Sequence, residues 1–176
     1  MPKTGPDFSI QPERSGDEPD IVRLNARAFG PGRFARTAYR VREGLEPAPG
    51  LRFTARIDDR LVGSIRFTAV AVGGAAGGLL LGPLVIDPDY AGRGAGRALI
   101  DRGLAVGRDE GYRLVLLVGD LSYYERCGFQ VVPPGRILLP GPVDPARLLA
   151  AELVAGALEG YAGLVRGDGD QIDNRS

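Results

Sequence analysis

Residues 81–97, LGPLVIDPDYAGRGAGR, constrain this chain more than any other stretch: an apolar run empties into alternating glycines and then into helix formers. A strand that turns so abruptly into a helix aims several backbone N–H groups at one point, because the first four N–H groups of a helix have no partner within it. The aligned peptide dipoles add about half a positive charge there, so anions collect at such a junction. Gly92, Gly94 and Gly96 fall on every second residue, where missing side chains let the chain turn tightly and let a ligand approach the backbone. Arg93 and Arg97 flank them with permanent charge suited to phosphate oxygens. The helix is expected over 95–110 and an apolar strand over 115–118, so strand, glycine loop, helix and strand form a βαβ unit whose two strands run parallel.

Two familiar phosphate loops do not fit. A P-loop needs a Lys after its last glycine, and Lys3 is the only lysine; the dinucleotide fingerprint needs G-x-G-x-x-G, whereas the spacing here is G-x-G-x-G. On the glycines alone, a turn that holds no ligand remains an equal reading. Composition narrows the chemistry further. With 22 basic and 22 acidic residues there is no basic field of the kind nucleic-acid binding requires. The chain has no His and one Cys, which removes His-based triads, His-ligated zinc and disulfides together, so no metal site is expected. Residues 1–13 lack the apolar core of a signal peptide, which points to a cytoplasmic protein. Residues 67–86 carry no charge over a span long enough to cross a bilayer. Gly73-Gly74 and Gly77-Gly78 interrupt them, so they read as two buried strands joined by a Gly-Ala turn, and no membrane partner is expected.

The remaining elements follow from periodicity. A short strand is expected at 7–12, then a capping box, Ser15 to Glu18, opening a first helix that Gly30-Pro31-Gly32 ends. A second helix is expected over 34–45, a half-buried strand over 51–57, and a long strand over 61–71 after a turn at Asp58-Asp59. Pro83 should make the strand over 79–86 bulge or leave it unpaired there. A short helix over 121–127 carries Tyr123 and Tyr124, a strand starts at Phe129, Asp144-Pro145 opens a helix through about 153, and a last strand falls over 161–165. Length sets one domain, 1–176, with 1–6 and about 167–176 expected to be disordered.

Val85-Ile86-Asp87-Pro88, Tyr90, Gly92-Arg93-Gly94-Ala95-Gly96-Arg97 and Leu99-Ile100 together resemble the acetyl-coenzyme A motif of the GCN5-related N-acetyltransferases (GNAT). Tyr123-Tyr124-Glu125-Arg126-Cys127-Gly128-Phe129 is similar to that superfamily's C-terminal signature, and the combination with Leu81-Gly82-Pro83-Leu84 and Val118-Gly119-Asp120 resembles a bacterial subgroup of small acetyltransferases. The resemblance implies an α/β (α+β sandwich) fold with a mixed, centrally splayed sheet flanked by helices. It implies acetyl-CoA as co-substrate, its pantetheine arm beside the backbone of Leu84, Val85 and Ile86, and its pyrophosphate on Gly92, Arg93, Gly94, Ala95, Gly96 and Arg97. Direct attack of an amine on the thioester is the reaction implied, with Tyr124 as the general acid that protonates the departing sulfur.

This chain departs from the family pattern at several positions. Ala91 stands where a Gln or Arg side chain would contact the cofactor, Asp120 or Ser122 stands in for a pantetheine-binding Asn, and no carboxylate lies on either splayed strand, leaving Asp120 and Glu125 as candidates for the base. Tyr123 is assigned to packing or the acceptor wall, Cys127 to a small hydrophobe, and Arg33, Arg36, Tyr39 and Arg40 to the acceptor side. Two rivals stay open: a non-catalytic acyl-CoA-binding module, motivated by Ala91 and the missing base, and an acyltransferase with a longer acyl-CoA or carrier-protein donor. The acceptor amine is not specified, and a homodimer stays open.

Overall fold

The computed structural model describes residues 7–30 and 37–168. Among them the chain forms β1 (Ser9–Pro12), α1 (Glu18–Phe29), α2 (Thr37–Arg42), β2 (Arg52–Ile57), β3 (Arg60–Val72), β4 (Ala75–Ile86), α3 (Ala95–Asp109), β5 (Leu114–Val118), α4 (Leu121–Tyr124), β6 (Gln130–Val131), β7 (Ile137–Leu138), β8 (Leu148–Glu152) and β9 (Gly163–Gly167). The sheet runs β1-β2-β3-β4-β5-β8-β6, and β9 takes the edge of β3 beyond the end of β2 while also pairing with β7. Only β4–β5 and β7–β9 are parallel, so the sheet is mixed as expected.

The β3–β4 hairpin turns on Gly73-Gly74, whose φ angles of 56° and 87° suit the tight two-residue turn that joins twisted strands, rather than on the Gly-Ala stretch that follows. The expected bulge at Pro83 is present: Ile65 pairs with Leu84 and Phe67 with Leu81, so Gly82 and Pro83 together face Arg66. The parallel pair is short. Gly78, Leu79 and Leu80 of β4 meet Leu114, Val115 and Leu116 of β5, and beyond Leu80 the two strands part. That parting is the central splay.

Helix α3 covers one face of the sheet. Its Ala95, Leu99, Ile100 and Leu104 join Phe67, Leu79, Val115 and Leu117 in the larger core, and Gly103 lies so close to Phe67 that any Cβ there would overlap the ring. A second cluster, holding Val41 of α2 with Val70, Leu80, Leu116, Ile137 and Val165, forms a separate core.

Three local expectations are corrected. Residues 148–152 form strand β8, not the continuation of a helix opened at Asp144-Pro145; a 3-10 turn over Pro145–Arg147, capped by the Asp144 carboxylate, leads straight into it. This strand fills the slot between β5 and β6, where Leu149 and Ala151 join the α3-side core while Leu148 and Ala150 join the other. Burial on both faces overrides the helix propensity of Leu-Leu-Ala-Ala. Strand β2 is likewise buried on both faces, because Arg56 is ion-paired with Asp17 and Thr54 is shut from solvent. Asp17 caps α1 by position only; its side chain goes to Arg56 and to the N–H of Arg14, so no capping box forms. Helix α2 is described only over Thr37–Arg42, and residues 31–36, with Arg33 and Arg36, lie outside the described residues, as do 1–6 and 169–176.

Candidate active site

The splay leaves backbone groups facing each other across a gap. From Leu81 onward β4 pairs only with β3, and from Leu117 onward β5 pairs only with β8, so one edge of each strand is unpaired. Unpaired peptide groups at a partly buried strand edge want hydrogen-bond partners, and an extended amide-bearing chain laid alongside supplies them. Leu84, Val85 and Ile86 lie on that open edge of β4.

At the top of β4 the chain is turned by Asp87. This carboxylate is buried, accepts the N–H of Asp89 at 3.0 Å, and lies 3.5 Å from Arg27 and 3.9 Å from Arg60. A 3-10 turn over Pro88–Tyr90 follows. Gly92 and Gly94 then take left-handed φ values of 77° and 85°, which place the N–H groups of Ala95, Gly96 and Arg97 in the open first turn of α3. The arginines are engaged with neighbours: Arg93 stacks on Tyr90, with its guanidinium 5.2 Å from the ring centre, and faces Asp7 at 3.5 Å, while Arg97 lies 3.8 Å from Asp101. Main-chain N–H groups therefore dominate this junction.

Across the gap stands α4. Its N-cap residue Asp120 receives the N–H groups of Tyr123 and Tyr124 on its carbonyl, while its exposed carboxylate faces Arg147 at 3.4 Å. Tyr124 packs edge-on against Phe129, with ring centres 5.8 Å apart, and lies over Gly119. Its ring meets that of Tyr123 edge-on at 77°, with ring centres 4.9 Å apart, and the Tyr123 hydroxyl hangs over Gly96 in the first turn of α3. Burial pushes the Tyr124 phenol up to about 12, with Tyr123, Cys127 and Asp120 adding to the shift. It is thus a neutral phenol at physiological pH. Burial and Asp101 also raise the Cys127 thiol, which keeps it protonated and inert.

These parts enclose one cleft of about 880 Å³, lined by the bulge Leu81 to Leu84, by Leu117 to Asp120, by both tyrosines, and by α1, α2 and residues 142–147. Tyr39 lines it as expected, but Arg40 does not; it is exposed, and Arg42 takes the inward place. The helical period explains the exchange, since Arg42 follows the cleft-lining Ala38 by four residues. Glu125 is outside this cleft. Sequence reasoning also missed Asn25, Asp144 and Arg147, which no motif marks and which reach the cleft only through the fold. Among the described residues no group of His, Cys, Asp and Glu is arranged to hold a metal ion, and no helix is long and apolar enough to cross a membrane.

A model of the Acetyltransferase (GNAT) family matches residues 19–129, which span the cofactor-loop and tyrosine motifs. The chain belongs to this family. Among curated GNAT relatives, the uncharacterised N-acetyltransferase YjhQ of Escherichia coli K12 is 32% identical over 126 residues, covering 70% of each chain. The uncharacterised N-acetyltransferase YhbS of the same strain is 30% identical over 152 residues, 85% of this chain and 89% of YhbS. The crystal structure of E. coli YhbS in complex with CoA superposes with a TM-score of 0.81 at 25% identity, over 100% of this chain and 97% of that one. A GNAT acetyltransferase from Brucella melitensis in complex with acetyl-CoA is 31% identical with a TM-score of 0.60, over 85% and 97% of the two chains. The GNAT fold, with its open sheet and flanking helices, and the N-acetyltransferase class therefore hold for this chain.

Proposed function

We propose that this GNAT enzyme moves an acetyl group from acetyl-CoA to a primary amine by direct attack, with Tyr124 as general acid. The observation that carries the reading is the gap itself: an unpaired edge of β4 on one side, a protonated tyrosine on the other, and a helix N-terminus at the open end. The cofactor's chemistry is a reactive thioester with a thiolate leaving group. The open edge at Leu84, Val85 and Ile86 suits the amide-bearing pantetheine arm, and Asp120 lies at the facing end of α4. The N–H groups of Ala95, Gly96 and Arg97, reached over Gly92, Arg93 and Gly94, suit the pyrophosphate.

The amine nitrogen gives its lone pair to the thioester carbon, and the C–N bond forms as the C–S bond breaks. Backbone N–H groups at the β4 bulge polarise the carbonyl oxygen, an effect worth about 3 to 4 kcal/mol per donor. The Tyr124 phenol gives its proton to sulfur and regains one from water, while the amine loses its surplus proton to solvent through the open cleft. Leu81 and Leu117 are both buried in the core at the floor of the gap, which favours acetyl over longer chains.

Incubation with acetyl-CoA and a panel of amines, followed by free thiol, tests the reading. Thiol release that depends on the amine is expected. CoA binding without such release would leave only the binding-module reading.

A further inference from the structure

Six charged side chains line the cleft: Glu18, Arg42, Arg66, Asp120, Asp144 and Arg147. Most are already matched. Arg66 is held by Glu13 at 2.6 Å and by Glu18, and Arg147 faces Asp120. Arg42 is different. Its guanidinium lies against Gly82 at the bulge, where a Cβ would sit 2.5 Å from Nη1, and it forms no ion pair or hydrogen bond among the described residues. Burial draws its pKa down to about 10, with the Tyr39 phenol opposing the shift, so it remains a cation.

A second cleft-lining group is also unmatched. The Asn25 side-chain amide is fixed by Nδ2 donating to the carbonyl of Ile21 at 3.0 Å, which leaves Oδ1 buried with no donor. A buried acceptor without a donor is costly, and a half-buried guanidinium without an anion is costly too. A ligand that brings both an N–H and a carboxylate removes both costs at once. With three guanidinium groups and three carboxylates on its walls, the cleft has no net charge and repels no zwitterion.

We propose that the acceptor is a small zwitterionic amine, an amino acid or close analogue, whose carboxylate is bound by Arg42. The inference rests on the acetyl-transfer reading and adds the substrate class. The bidentate fork of Arg42 meets the carboxylate, and its place at Gly82 sets the amine next to the bulge of β4. Asn25 Oδ1 accepts an N–H from the acceptor on the α1 side.

The test measures equilibrium binding of L-amino acids, their α-amides and the matching decarboxylated amines to the CoA-bound full chain, with acetyl-CoA-dependent thiol release followed separately. At least one amino acid is expected to bind about tenfold or more tighter than its amide and its decarboxylated amine. Arg42→Gln should collapse that ratio to near one, and Arg42→Lys should restore part of it; cooperative unfolding of both variants confirms that they fold. Equal binding of the three sets, or a ratio that survives Arg42→Gln, overturns the inference. Carboxylate-selective binding without thiol release would sustain the inference and refute acetyl transfer. Thiol release equal across the three sets would do the reverse.

Discussion

Replacing Gly119 by alanine would put a methyl carbon 2.6 Å from Cε2 of Tyr124 and 3.1 Å from Cδ1 of Leu117. Carbon atoms rest at roughly 3.5–4.0 Å from one another, so the tyrosine ring must move by about 1 Å. The Gly119 backbone is not left-handed, so the effect is purely steric. A displacement of that size at a reacting group costs about 100-fold in rate, and the overpacking itself costs about 1–3 kcal/mol of stability. The assay is steady-state thiol release with acetyl-CoA varied. The expected result is a kcat about 100-fold lower with the KM for acetyl-CoA within about threefold, because a transition-state contact is lost and ground-state binding is not. Tyr124→Phe should cost a similar factor, and Gly119→Ala added to it should cost kcat almost nothing more, since both act on one proton. A Gly119→Ala enzyme with kcat within twofold of the parent, or two losses that multiply, would refute the assignment of Tyr124 as the acid.

Gly94→Val should weaken CoA binding at least tenfold by calorimetry, because Gly94 holds φ at 85° and a left-handed residue with a Cβ costs about 1–2 kcal/mol; retained affinity would detach the loop from the cofactor. A phenol raised to about 12 keeps its proton through the range where an ordinary tyrosine, with a pKa of about 10, loses it. Tyr124 should therefore impose no alkaline fall in kcat below about pH 11, whereas a fall centred near 10 that Tyr124→Phe abolishes would show an unshifted group. Asp17→Asn leaves the buried Arg56 without its anion and should lower unfolding stability in urea by about 3–5 kcal/mol; a loss under about 1 kcal/mol would show the pair to be dispensable.

The βαβ unit and its loop were legible because local chemistry alone dictates them: Gly92 and Gly94 need left-handed backbone, and the period of α3 shows in Leu99, Ile100 and Leu104. Strand β8 was not, because Leu148 to Glu152 favour a helix in isolation and become a strand only where β5 and β6 leave a slot. The positions of Tyr124 and of the β4 edge followed from motif spacing, but the acceptor side did not. Arg42, Asn25 and Asp144 lie on three separated segments, and nothing in their local sequence says that they share a cleft. The motif also left open what stands above Gly96, which proved to be the Tyr123 hydroxyl.

Among the described residues the two halves of the sheet are joined by one ladder, β4–β5, of three residue pairs, Gly78 to Leu80 against Leu114 to Leu116, while β7 pairs with β9 alone and adds no ladder between the halves. The glycine loop follows the end of β4 and Tyr124 follows the end of β5, both beyond the joint, so the width of the gap between them depends on the angle at which the two strands part. A change in that angle at Leu80 and Leu116 changes the distance between the tyrosine and the loop. Substitutions at the joint, remote from any reacting atom, would therefore tune the width of the gap with the groups at its mouth left chemically intact.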